Sequence, residues 1–267
     1  MTDLYGVVGN PIAHSLSPII HQQFAQSFDE QIEYRRFLVE PSQFNTFIYE
    51  FFETGGQGLN VTLPFKEQAY ALCDRHTEIA NAAKSVNTLW HDGKHLWGAN
   101  TDGLGLVRDL KINLGCQIEG KNVLLLGAGG AVRGVLDHIL SEKPKTIWLS
   151  NRTFNKAVQL QREFATILVL ELGELETLDR VDLIINGTSA SLAGDAVDLP
   201  RLAIHAETLC YDMMYSQKKT VFEQSVAEIG GRYQNGLGML VEQAAESYSI
   251  WRKRRPQTAD ILARLRN

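Results

Sequence analysis

Apolar and β-branched residues occur in short dense runs at 4–8, 34–39 and 58–63, and the stretches between them repeat their apolar positions at helical spacing. The runs predict buried strands, with helices starting near Ser17 and Ser42 between them. A β-α-β-α-β order of this kind requires parallel strands joined by crossover helices. A helical stretch and a hairpin follow, strands 86–89 and 96–99 about the turn signal of Asp92 and Gly93. A second series opens with a strand at 122–126. It continues through a helix over 131–141, a strand over 146–150, a helix over 155–164 and strands near 167–170, 182–185 and 209–213. A final helix begins near Met239 and runs to about Trp251. The pattern is α/β throughout, with two α/β units joined near residue 102 and the last helix open to either. It shows no solenoid repeat, low-complexity tract or long linker.

Composition agrees with that picture and narrows the function. At 267 residues, 44% hydrophobic and 21% charged, the chain has the make-up of a soluble globular protein with ample material for a core. With 31 acidic against 26 basic residues and a net charge of −5, nothing favours nucleic acid as a partner. No apolar run approaches a membrane span and no leader-like segment opens the chain, so a cytoplasmic protein without a membrane partner is expected. Cys73, Cys116 and Cys210 are odd in number and scattered, which argues against a disulfide framework and a Cys-based metal site. His91 and His95 flank a hairpin turn rather than sharing a helix face, so no metal is expected. The basic cluster at 252–255 precedes Pro256 and reads as the last turn of a helix, where cations complement the dipole.

The chemistry concentrates at two places. The first is NVLLLGAGGA (122–131), a buried strand running into a glycine turn that opens a helix. Glycines there let the backbone approach a pyrophosphate, whose charge meets N–H groups at the helix N-terminus. Val132 stands where the dinucleotide fingerprint has its third glycine, so close helix packing must come from Gly130, Ala131 and Gly134. The following strand ends in Ser150, Asn151, Arg152 and Thr153, with Lys156 beyond and no acid to hold a ribose diol. Cations beside hydroxyl and amide donors suit a 2′-phosphate, so NADP is preferred over NAD.

The second place is NVTLPFKE (60–67), a buried strand followed by a proline and then Lys66. Pro64 suits the first turn of a helix, and Lys66 then sits past the C-terminal end of a strand, where ligands of α/β sheets bind. Ser15, Ser17, Thr62, Asn87 and Asp102 fall at other ends of elements in the same unit. Taken singly each has a bland reading: Ser17 before Pro18 as an N-cap, Asp102 with Gly103 as a turn, Lys66 as a solvated lysine. Together they offer hydroxyls, an amide, one cation and one carboxylate, which is what a small polyhydroxylated acid requires.

The motifs GNPIAHSLSP (9–18), NVTLPFKE (60–67), SVNTL (85–89), NTDG (100–103), GAGGA (127–131), NRT (151–153), NGTSA (186–190), YDMMY (211–215) and NGLGMLVEQAA (235–245) span almost the whole chain. In this order they closely resemble the shikimate dehydrogenases, NADP-dependent enzymes of the route to chorismate and the aromatic amino acids. The resemblance implies reversible reduction of 3-dehydroshikimate to shikimate. It also implies a substrate-binding domain over 1–101 plus 236–267 with a mostly parallel sheet, a Rossmann-type NADP domain over 102–235, and a cleft between them. Carried over, Lys66 and Asp102 are the catalytic pair, sharing the proton step. Ser15 and Ser17 hold the substrate carboxylate; Thr62, Asn87, Asp102, Tyr215 and Gln243 complete the substrate set. Gly127, Ala128, Gly129, Gly130 and Ala131 cradle the pyrophosphate, and Asn151, Arg152, Thr153 and Lys156 hold the 2′-phosphate. Met213, Gly236 and Met239 border the nicotinamide. Many members have arginine where this chain has Lys156, which keeps the charge and loses the fork geometry. A quinate/shikimate dehydrogenase of broader cofactor use is the alternative; it is expected to carry an acid after the second strand, where this chain has Asn151 and Arg152. A non-catalytic NADP-sensing domain on the same fold would be expected to have lost Lys66 or Asp102. Monomer and homodimer both remain open.

Overall fold

A computed structural model describes residues 2–266 apart from 189, 191–194, 196 and 217; Ser189 of the NGTSA motif therefore lies outside the described residues. The chain divides into two compact units, Met1–Gly105 with Leu240–Asn267, and Leu106–Met239.

In the first unit, strands β1 (Asp3–Gly9), β2 (Ile32–Leu38), β3 (Gly58–Val61), β4 (Arg75–His76), β5 (Thr88–His91) and β6 (Leu96–Ala99) form one sheet in the order β2-β1-β3-β5-β6-β4. Helices α1 (Ser17–Gln26) and α2 (Phe44–Glu53) make the crossovers that keep β1, β2 and β3 parallel. The hairpin β5–β6 is antiparallel, and β5 also runs antiparallel to β3. Two reversals leave β6 pointing the same way as β3. The apolar residues of these strands meet Phe44, Ile48, Phe65 and Val86 in a closed core, each such side chain worth roughly 1.5–3 kcal/mol on full burial.

The second unit carries a six-stranded parallel sheet of β7 (Asn122–Leu126), β8 (Thr146–Ser150), β9 (Leu168–Leu170), β10 (Leu183–Asn186), β11 (Leu209–Asp212) and β12 (Arg232–Asn235), in the order β12-β11-β10-β7-β8-β9. Read from the other edge, that is the doubly wound order of dinucleotide-binding sheets, with the reversal between β7 and β10. Both faces are covered, which explains the unbroken apolar run of β7: Val123 and Leu125 enter one core, Leu124 and Leu126 the other. Helix α6 (Gly130–Ser141) buries Val132, Val135, Leu136 and Ile139, one stripe at helical spacing. Helix α7 (Phe154–Glu163) follows β8 and buries Ala157 and Leu160.

Several expectations change at this level. Pro64 precedes the helix it was expected to open: α3 (Lys66–Leu72) begins two residues later. The helical stretch before the hairpin is α4 (Glu78–Ala83), opened by a Thr77 side-chain cap. Ser17 is the first helical residue and not a side-chain N-cap. Asp102 opens helix α5 (Asp102–Arg108) rather than a turn, because Asn100 Oδ1 accepts its N–H and caps the start. Strand β12 and helix α8 (Val221–Ile229) had no expectation; β12 is a polar edge strand with weak alternation. Helix α9 (Leu237–Arg252) is followed by a further helix, α10 (Ala259–Arg266). Only Arg252 of the basic cluster lies in α9, and carboxylates rather than a helix dipole meet the arginines. Arg252 pairs with Asp3 and Glu30, Arg254 with Glu30, and Arg255 with Glu242 and Glu246. Among the described residues no helix is long and apolar enough to cross a membrane.

His21 of α1 is fully buried, stacked on Tyr34 with ring centroids 4.4 Å apart, and neither ring nitrogen has a hydrogen-bond partner among the described residues. Burial outweighs the nearby Asn60 amide and lowers its pKa from 6.5 to about 3. The unfolded chain therefore takes up the proton first; stability is complete above the unfolded value and is lost as pH falls toward the folded one. Going from pH 7 to pH 5 should cost about 2 kcal/mol through this residue. Urea unfolding at the two pH values should show that loss in the wild type and a smaller one in His21→Phe, which keeps a ring in the stack; equal losses would refute it.

Candidate active site

The strand directions of the first unit decide which residues meet. Ser15 and Ser17 follow the end of β1, Thr62 and Lys66 follow β3, Asn87 precedes β5, and Asp102 follows β6. Because β5 runs against β3 and β6, its beginning lies at the same sheet edge as their ends. Four segments, at the ends of β1, β3 and β6 and the start of β5, are thereby delivered to one line.

Lys66 Nζ lies 2.7 Å from Asp102 Oδ2, with the lysine side chain 22% and the aspartate 7% exposed. The other carboxylate oxygen, Oδ1, accepts from Asn87 Nδ2 at 2.8 Å. The Asn87 amide is oriented by an unambiguous donor, since its Oδ1 accepts the backbone N–H of Thr101 at 3.0 Å. Its NH₂ must then face Asp102, Thr101 Oγ1 and Gln243 Oε1, the last at 3.1 Å. Asp102 also sits at the N-terminus of α5, where the helix dipole favours a negative charge. A buried carboxylate with both oxygens paired holds the ammonium in a fixed place, at an edge where a substrate oxygen can reach it.

Ser15 and Ser17 lie side by side with hydroxyl oxygens 3.2 Å apart, both buried. Thr62 Oγ1 has no hydrogen-bond partner among the described residues, while its methyl packs on Gly9. The structure thus gathers Lys66, Asp102, Asn87 and Gln243 into one network and places Ser15 with Ser17 as a second pair.

Sequence reasoning passed over the groups that hold these in place: Asn60, Asn100, Thr101, Ser247 and Arg36. Asn60 Nδ2 donates to the Asn87 carbonyl and to Ser247 Oγ, and Asn60 Oδ1 accepts from Tyr34. Asn60, Asn100 and Thr101 stand inside the motifs NVTLPFKE and NTDG, so position was visible and partners were not. Ser247 and Arg36 carry no local signal.

In the second unit, Gly127 adopts φ +106°, a conformation that favours glycine, 3.0 Å from Thr188 at the place a Cβ would occupy. Among the described residues a Cβ on Gly129 would meet nothing within 4 Å, which leaves its position open to a ligand. Gly129 cannot cap α6 with a side chain, so the first-turn N–H groups of Gly130 and Ala131 face that opening. Close helix packing comes from an unforeseen glycine. Val132 stays bulky and Gly187 makes way, since a Cβ there would lie 2.4 Å from Val132; Gly134 is also buried in α6.

Asn151 ties the strand tip to the turn, accepting from Ala128 N at 3.1 Å and donating to Thr153 O at 2.8 Å. Thr153, Arg152 and Lys156 are exposed, and neither cation has a carboxylate partner among the described residues. An open backbone cradle beside two unpaired cations fits a dinucleotide bearing an extra phosphate. Met213 and Met239 are buried, Tyr215 is half-buried, and Met239 N–H donates to Tyr211 Oη at 3.3 Å. Gly236 allows β12 to close on Met213, whose carbonyl oxygen lies 2.3 Å from the position of a Cβ.

Three family models match the chain: "Shikimate dehydrogenase substrate binding domain" over residues 7–89, "Shikimate / quinate 5-dehydrogenase" over 110–194 and "Shikimate 5'-dehydrogenase C-terminal domain" over 236–266. A shikimate dehydrogenase (NADP(+)) of Janthinobacterium sp. (strain Marseille) is 47% identical over 267 residues, covering 100% of this chain and 98% of the relative. The crystal structure of an Ael1 enzyme from Pseudomonas putida superposes with a TM-score of 0.92 at 38% identity, covering 99% and 98% of the two chains. Shikimate 5-dehydrogenase from Thermus thermophilus, in complex with NADP(H) and shikimate, gives a TM-score of 0.89 at 28% identity, covering 99% of each chain. With identity near one half sustained from end to end, and the Lys66–Asp102 pair assembled at the sheet edge, the chain belongs to the shikimate dehydrogenase family.

Proposed function

We propose that this protein is a cytoplasmic enzyme that reversibly reduces 3-dehydroshikimate to shikimate with NADP, on the route to chorismate. The observation that carries the reading is the 2.7 Å contact of Lys66 with a buried Asp102 whose second oxygen is held by Asn87. Ser15 and Ser17 bind the substrate carboxylate, and Thr62, Asn87, Tyr215 and Gln243 engage its oxygens. NADP supplies hydride exchange with the substrate carbon. Lys66 Nζ donates a proton to the substrate's carbonyl oxygen in reduction and accepts it from the hydroxyl in oxidation. Asp102 holds the lysine on that oxygen and shares the proton step with it. Gly127 to Ala131 hold the pyrophosphate, while Asn151, Arg152, Thr153 and Lys156 hold the 2′-phosphate. Met213, Gly236 and Met239 border the nicotinamide. The units Met1–Gly105 with Leu240–Asn267 and Leu106–Met239 then serve substrate and cofactor respectively.

The test is four rates at the nicotinamide absorbance band, with shikimate or quinate and NADP or NAD. Shikimate with NADP should be the fastest combination. Equal or faster turnover of quinate, or with NAD, would replace this reading with a broader quinate/shikimate dehydrogenase, and no turnover in any of the four would end it.

A further inference from the structure

We propose that Arg36 is a positioning residue of the carboxylate subsite, fixing the Ser15–Ser17 segment and giving it a net positive charge. Strand β2 alternates its faces: Glu33 and Arg35 share one, Tyr34 and Arg36 the other. Arg35 is matched by Glu33 across an ion pair. Arg36 has no carboxylate partner among the described residues. Its Nε and one terminal nitrogen instead both donate to the backbone carbonyl of Ser15, at 2.8 and 2.6 Å.

Two charge-assisted bonds to one neutral carbonyl leave the guanidinium, on an exposed residue, without a counter-charge among the described residues and with three of its five N–H donors not used by Ser15. The clamped residue is the one that organises the subsite. Ser15 Oγ accepts the Ser17 N–H at 3.3 Å and donates to Ser17 Oγ at 3.2 Å, while Ser15 N–H closes a turn on Ile12 O. Fixing the Ser15 carbonyl therefore sets the direction of both hydroxyls. Two serines alone are a neutral pair, and drawing a carboxylate out of water onto buried hydroxyls needs positive charge nearby. The charge of Lys66 is already matched by Asp102. Arg36 supplies what the serines lack.

This inference rests on the substrate reading above, and the experiment separates the two. Steady-state kinetics would be run on wild type, Arg36→Ala, Arg36→Gln and Arg36→Lys, with shikimate and with its neutral methyl ester, alongside thermal melts. Arg36→Ala and Arg36→Gln should raise KM for shikimate about tenfold, equivalent to ~1.4 kcal/mol. In both, kcat, KM for NADP and Tm should stay essentially unchanged. Arg36→Lys should recover part of the loss by restoring charge without the fork, and KM for the ester, which meets the same hydroxyls without a charge, should rise clearly less than KM for shikimate. An unchanged KM for shikimate overturns the proposal, as does an equal rise for shikimate and ester, or a rise that only accompanies a lower Tm. Wild-type protein that does not oxidise shikimate removes the substrate assignment itself, before any variant is compared.

Discussion

Lys66→Ala should lower kcat about a thousandfold while KM for shikimate changes little, the signature of a group that acts in the transition state rather than in ground-state binding. Among the described residues the lysine side chain makes no bond that the surrounding fold needs apart from the one to Asp102, so the variant should fold. Asp102→Asn tests the same pair from its other side. Both oxygens of Asp102 receive donors, Nζ of Lys66 and Nδ2 of Asn87. An amide cannot accept at both positions; whichever way it turns, its NH₂ faces an ammonium or another NH₂. The Asn variant should therefore lose about a hundredfold or more in kcat, despite being nearly isosteric. Single-turnover absorbance measurements would decide. A large rise in KM with kcat intact in Lys66→Ala would reduce the lysine to a binding group.

The second large effect lies in the other unit, where two glycines that look alike in sequence should fail in different ways. In Gly236→Ala the new methyl would stand 2.3 Å from the Met213 carbonyl oxygen and 2.7 Å from its carbon. Those are backbone atoms of the segment leaving β11, whose Asp212 is the register partner of Asn235. The two strand ends must part, so a stability loss of about 2–3 kcal/mol is expected, together with a higher KM for NADP. Gly129→Ala meets no atom of the described residues within 4 Å and has an extended backbone, φ −89° and ψ −178°. It should leave Tm unchanged and still raise KM for NADP strongly, because in the proposed binding mode its methyl would occupy the place of the pyrophosphate. Thermal melts with and without NADP separate the cases; a Tm loss in Gly129→Ala would show that its space is structural.

Some of this was legible in the chain and some was not, and the division follows the range of the forces. The apolar run of β7 and the stripe of α6 are local patterns, and their limits emerged within a residue or two. The polar edge strand β12 escaped because a strand that buries little has no pattern to show. Asp102 read as a turn because Asp beside Gly is locally a turn signal, whereas a side chain two residues back caps a helix there. Val132 is given room by Gly187, fifty-five positions away, a pairing no local rule could find.

By itself, the order of residues determined the two α/β series, the glycine elbow, the cationic strand tip and the inventory of polar groups at strand ends, because each is set by neighbours a few positions apart. Tertiary structure alone decided that Lys66 touches Asp102, that Asn87 is turned to hold the free oxygen, and that Arg36 clamps Ser15. These contacts join segments brought together by strand direction and pairing register, and a register is chosen by the whole core.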